Sequence, residues 1–162
     1  MPSVTVTRMK TEVIRSARRK KTVQASVVDG TVRIRIPSSM SAEEEAYWVA
    51  VMRERMRRQV HASEVNLADR ARILATEYDL PHPSEIVFST RQRRRWGSCT
   101  PSTGRVRISS LVASFPSWVV DYVIVHELAH LAEADHSPAF WELAGRYPLA
   151  ERARGFLIAK SL

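Results

Sequence analysis

The sequence predicts an α+β fold, and three stretches carry that expectation. Residues 21–36 form two β-rich runs around Asp29-Gly30, and Ser41-Ala-Glu-Glu44 opens an amphipathic helical stretch. Further on, the apolar residues Val119, Val120, Val123, Ile124 and Val125 lead without a break into His126-Glu-Leu-Ala-His130. Period-2 and period-3.6 patterns therefore share one chain, with the strands and helices in separate blocks.

The elements follow in order. Ser3-Val-Thr-Val-Thr-Arg8 and Glu12-Val-Ile-Arg15 read as strands because they alternate or are rich in β-branched residues. Lys21–Val28 and Thr31–Ile36 form a hairpin, since Asp29-Gly30 tolerates the positive φ that a two-residue turn requires. In its second arm Val32, Ile34 and Ile36 face one way and Arg33 and Arg35 the other. Ser41 and Glu44 are spaced as a capping box, and the helix they start carries Tyr47, Trp48, Val51, Met52 and Met56 as a core stripe. A second helix runs from about Ser63 to Tyr78, with Ile73 among its buried residues, and is broken by Pro81-His-Pro83. Glu85–Thr90 and Arg105–Ser109 read as strands of a hairpin, with turn residues Pro101 and Thr103-Gly104 before the second. Ser117 is placed to cap the helix that follows. A short helix from about Ser137 and a last one from Ala150 to Leu162 close the chain.

At 162 residues, with 44% hydrophobic and 26% charged residues, the chain suits one soluble domain. Its regions are an N-terminal β part (1–40), a helical pair (41–80) and a core (84–162). It holds no apolar run long enough to span a membrane and no secretory leader pattern. A single cysteine excludes an internal disulfide, and a cytoplasmic location is expected. The net charge is +8, yet residues 97–162 hold six basic and six acidic residues, so the whole excess lies in residues 1–96. Such a surface attracts polyanions, nucleic acid first, although a solvated Arg-rich face has the same composition.

His126 and His130 are four residues apart, hence one turn apart on one helix face, in the H-E-x-x-H pattern. Two imidazoles so spaced can reach a single Zn²⁺, while Glu127, about 100° round the helix, lies beside the ion without ligating it. A catalytic zinc takes three protein ligands and a water, so His136 is the natural third ligand and Glu127 the carboxylate that handles the water's proton. His61 and His82 sit among polar residues and read as surface histidines.

Arg95-Trp-Gly-Ser-Cys99, the hairpin, Asp121–Leu131 and His136-Ser-Pro-Ala-Phe-Trp141 together resemble the YgjP-like metallopeptidase family, related to the SprT and Spartan-type proteases. The resemblance is specific over about residues 85–148. It implies a zincin-like fold, with a small, mostly antiparallel sheet packed on the metal-binding helix and its edge strand lining the substrate cleft. It also implies zinc on His126, His130 and His136, and catalysis by Glu127. No Met follows Met56 and no Gly lies between His130 and His136, so the metzincin subclass is excluded.

Two readings stay open for Trp96–Cys99. In one, Gly97 permits a tight turn, Trp96 fills the core and Cys99 is a small buried hydrophobe. In the other, Cys99 supplies a fourth metal ligand. Arg94 and Arg95 are candidates to stabilise an oxyanion or contact substrate. The expected activity is zinc-dependent hydrolysis of peptide bonds in a peptide or protein substrate. The alternatives are a protease acting on DNA-bound proteins and a non-catalytic nucleic-acid-binding module whose structural zinc is closed by Cys99 or Asp135.

Overall fold

The computed structural model describes residues 10–161, apart from the side chains of residues 61–64. The strand expected at Ser3–Arg8 lies outside the described residues. The chain divides into two compact units, Met1–His61 and Ala62–Leu162. Among the described residues no helix is long and apolar enough to cross a membrane.

The first unit contains β1 (Lys10–Ser16), β2 (Gln24–Val28) and β3 (Thr31–Pro37), then α1 (Ala42–Glu64), nearly all of which belongs to it. Asp29 and Gly30 take φ of 49° and 72° and close the β2–β3 hairpin as expected. Val32, Ile34 and Ile36 are buried and cluster with Met52 and Met56 of α1. The capping box forms: Glu44 N donates to Ser41 Oγ (3.2 Å) and Ser41 N to Glu44 Oε2 (3.0 Å). Tyr47 departs from the expected core stripe, for it is 63% exposed, with its ring edge against Trp48.

The second unit holds α2 (Leu67–Glu77), β4 (Glu85–Ser89), β5 (Gly97–Thr100), β6 (Arg105–Ser109), α3 (Ser117–Ala132), α4 (Pro138–Ala144) and α5 (Ala150–Lys160). The second helix starts at Leu67 rather than near Ser63, because Asn66 caps it: Asn66 Oδ1 accepts from Asp69 N at 3.1 Å. Ile73 turns out to be exposed. Ser117 is the first residue of α3 and not its cap; Pro116 holds that position. Ser137 does cap α4, its Oγ accepting from Phe140 N at 3.2 Å.

Both sheets are mixed, which corrects the expectation of mostly antiparallel pairing. Their orders are β1-β3-β2 and β4-β6-β5, and in each the first strand runs parallel to the third and the second antiparallel to it. The hairpin ahead of the long helix is thus β5–β6, with Gly104 at φ 67°, and not a pairing of β4 with β6 as neighbours in a turn. Residues 90–96 cross the end of β6 to reach β5. Ser109, fully buried, holds this crossing: its N donates to Trp96 O (2.7 Å) and its Oγ to Gln92 O (2.8 Å). β5 thus becomes one of the sheet's two edge strands, β4 being the other.

α3 is the axis of this unit. Ten of its residues, from Val119 to Ala129, are buried, so it is apolar nearly all round, as a helix enclosed by neighbours must be. Arg70 of α2 fixes it from one side by a two-pronged bond to Asp121, with Nε to Oδ1 at 2.6 Å.

Candidate metal centre

The last turns of α3 carry His126 and His130, and the loop after the helix carries His136. The Nε2 atoms converge: His130 to His136 is 3.1 Å and His136 to His126 is 3.3 Å. These three form the one group of metal-ligating side chains among the described residues whose ligand atoms all lie within 4.8 Å of one another. Two ligands of a tetrahedral ion with ~2.05 Å bonds stand roughly 3.3 Å apart. His136 therefore already stands at that spacing from both of the other imidazoles, and the residues fit such an ion.

Each ring is held in place. His130 Nδ1 lies 3.0 Å from Glu133 O, so its N–H donates to that carbonyl and leaves the Nε2 lone pair facing the other two. Phe140, fully buried, stacks on His130 (centroids 4.3 Å apart) and presents its edge to His126 and His136. Trp141 stacks on His136 at 5.3 Å. Burial, and then the two neighbouring imidazoles, push the His126 pKa down to about 3, which keeps the ring neutral.

Glu127 is 5% exposed, and burial raises its carboxyl to about 8 against a smaller opposing pull from Arg95. Its side chain lies against the backbone of Gly97. A Cβ on residue 97 would come within 2.7 Å of both Cγ and Cδ of Glu127. A cleft of about 440 Å³ opens beside this contact, lined by Trp96, Gly97 and Cys99 and by His126, Glu127 and His130.

Residues 39–157 match the family described as YgjP-like, metallopeptidase domain. The chain belongs to the YgjP-like metallopeptidase family. At the level of that family it is a metal-dependent peptidase. A solved structure, the metallopeptidase zymogen of Pyrococcus abyssi abylysin, superposes with a TM-score of 0.51 over 57% of this chain and 91% of that one. At 18% identity this likeness shows a shared fold, the zincin-like α+β arrangement. No curated protein sequence matches.

In this YgjP-like chain the candidate residues fall unevenly around the centre. Arg95 lines the cleft with the histidines, whereas Arg94 lines a neighbouring basin instead. Cys99 also lines the cleft, but its sulfur is outside the ligand cluster, as is Asp135, and burial with help from Glu127 pushes its thiol up to about 11. Gly97 has no positive φ; what it supplies is the missing Cβ that Glu127 requires. Trp96 packs edge-on against Phe115 at 5.4 Å, in line with a structural role. His82 is exposed, as expected, and the side chain of His61 lies outside the described residues. Sequence reasoning missed Phe140 and Trp141 as supports of the imidazoles. Their spacing from His136, four and five residues on, was the available signal.

Proposed function

We propose that the chain is a zinc-dependent peptidase in which His126, His130 and His136 hold the ion and Glu127 moves the proton. The observation that carries this reading is the convergence of three Nε2 atoms beside a buried carboxylate on the same helix. Zinc held there supplies Lewis acidity, lowering a water's pKa toward ~7 and polarising the peptide carbonyl. Glu127 is the base that takes a proton at its carboxylate and returns it to the amine leaving group. Arg95, at the cleft, is the candidate to meet oxyanion charge. β5 is a sheet edge, so an extended peptide can pair with its free backbone groups.

The test is zinc content and peptide cleavage for the wild type and Glu127→Gln. Equal zinc with activity lower by about 10²–10⁴-fold is expected, and an active, zinc-loaded Glu127→Gln protein removes the mechanism.

Association with nucleic acid, which would make the enzyme a protease of DNA-bound proteins, is supported by charge distribution alone. Several of the cations in question are already paired, Arg15 with Glu45, Arg33 with Glu12 and Arg57 with Glu54. Binding to duplex DNA that weakens steeply with salt would support it, and no binding at low salt would end it.

A further inference from the structure

Beside the metal cleft lies a second concavity, of about 400 Å³, whose walls include Arg93, Arg94, Arg95 and Lys160 and, among the described residues, no Asp or Glu side chain. The arginines come from the crossing segment before β5 and the lysine from the end of α5, so two separate elements bring their charge to one place. Several arginines elsewhere lie against a carboxylate. Arg70, Arg105, Arg146 and Arg154 each face an Asp or Glu, as do Arg15, Arg33 and Arg57. Among the described residues none of the four basin cations is in an ion pair; Lys160 instead sits over the Phe156 ring at 5.7 Å. Like charges gathered in a concave wall focus a positive potential, and guanidinium forks match a carboxylate in two-pronged geometry.

The basin is continuous with the cleft through Arg95 and Trp96, which line both. An extended chain lying along β5 past Glu127 and Gly97 therefore runs on to Trp96 and the basin rim. An enclosure of this size admits one side chain and excludes a nucleic-acid duplex. Trp96 also borders an apolar pocket of about 320 Å³ with Tyr122, Trp141, Leu157 and Ile158, next to His126 and Glu127. An apolar and a cationic depression side by side suit neighbouring side chains of a peptide.

We propose that the basin is a substrate subsite for a carboxylate, so that the enzyme prefers peptides carrying an acidic group on the Trp96 side of the scissile bond. This rests on the peptidase reading above. The carboxylate can belong to an Asp or Glu side chain or to the free C-terminus of a short peptide.

The test uses one neutral peptide, amidated at its C-terminus, with Glu scanned through positions on both sides of the cleaved bond, and the same neutral peptide with a free C-terminus. For the zinc-loaded wild type, Glu at one position is expected to lower KM about 10-fold, or the free acid to do so if the terminal carboxylate is the ligand. The double substitution Arg93→Gln with Lys160→Gln should abolish that gain and leave kcat/KM for the neutral amidated peptide within about 2-fold. Equal cleavage of acidic and neutral peptides by the wild type overturns the proposal, as does an equal loss for both in the double variant. So does a double variant that keeps its Glu preference but loses affinity for a single-stranded oligonucleotide. Fluorescence anisotropy of the Glu peptide on metal-free Glu127→Gln protein separates the two readings. Binding that needs Arg93 and Lys160 without any cleavage by the wild type sinks the peptidase and keeps the subsite; cleavage without acidic preference does the reverse.

Discussion

The side chain of Glu127 rests on the α-carbon of Gly97, with no room for a Cβ between helix α3 and strand β5. The edge of the sheet and the carboxylate beside the histidines are thereby in van der Waals contact, and residue 97 sets the position of that carboxylate. Gly97→Ala must displace either β5 or Glu127, since the added carbon would lie 2.7 Å from Glu127 Cγ and Cδ. The expected outcome is a kcat lower by about 10²-fold, because a displacement of ~1 Å at a catalytic group costs that much. Zinc content should stay at the wild-type level, since the atoms nearest the added Cβ all belong to Glu127 and none to an imidazole. Metal analysis together with steady-state kinetics checks both parts.

The three-histidine cluster was legible in the sequence because it is local: the i, i+4 spacing on an apolar helix fixes two imidazoles, and His136 follows within one loop. The Asp29-Gly30 turn and the Ser41–Glu44 cap were legible for the same reason. Strand order was not. β4 and β6 each show period-2 alternation, but nothing in Glu85–Ser89 or Arg105–Ser109 says that the chain crosses β6 at residues 90–96 and returns along its far side. That crossing is held by the Ser109 hydroxyl, bonded to Gln92 O across 17 residues, and by its amide, bonded to Trp96 O. β5 itself, Gly-Ser-Cys-Thr, has too few apolar residues to announce a strand, and its partner on one side only makes it an edge. The need for glycine at 97 is not legible in the sequence, because a tertiary neighbour, Glu127, and not a positive φ, creates it.

Phe140 touches all three imidazoles, so its substitution should be felt in metal affinity before stability. Phe140→Leu keeps an apolar side chain in a fully buried place and is expected to cost less than about 1.5 kcal/mol. The flat surface on which His130 stacks is lost, however. Zinc affinity should fall about 10-fold, as for other losses of groups that orient a ligand. Competition with a chromophoric chelator reads the affinity, and thermal unfolding of the metal-free proteins reads the stability.

The Arg70–Asp121 pair makes a prediction about asymmetry. Asp121 is 8% exposed at its side chain and Arg70 is 43% exposed. Arg70→Ala leaves a buried carboxylate without its donor and should cost about 2–3 kcal/mol, discounted from the cost of breaking a fully buried pair. Asp121→Asn leaves a guanidinium that water can reach and should cost about 1–2 kcal/mol. Denaturant unfolding of both single variants and the double variant gives the order and the coupling; equal costs would show that burial of Asp121 is not what makes the pair matter.

The metal-free protein should have a stability profile with two opposite slopes. Glu127 has its carboxyl raised to about 8 from an ordinary 4.5, so the folded state favours the protonated form. That contribution is complete below pH ~4.5 and is lost as pH rises through about 8. His126 is lowered to about 3 from 6.5, so its contribution is complete above pH ~6.5 and is lost as pH falls through about 3. Between 4.5 and 6.5 the two trends oppose each other. From 6.5 to 8 Glu127 acts alone of this pair, and the stability of chelator-treated protein should fall with a slope near 1.4 kcal/mol per pH unit. Glu127→Gln removes the titrating group and should flatten that limb while leaving the acid limb in place. Denaturant titrations at pH 6.5, 7.3 and 8 on both proteins measure it. A wild type as flat as Glu127→Gln over this range would mean that the carboxylate is already ionised beside Gly97.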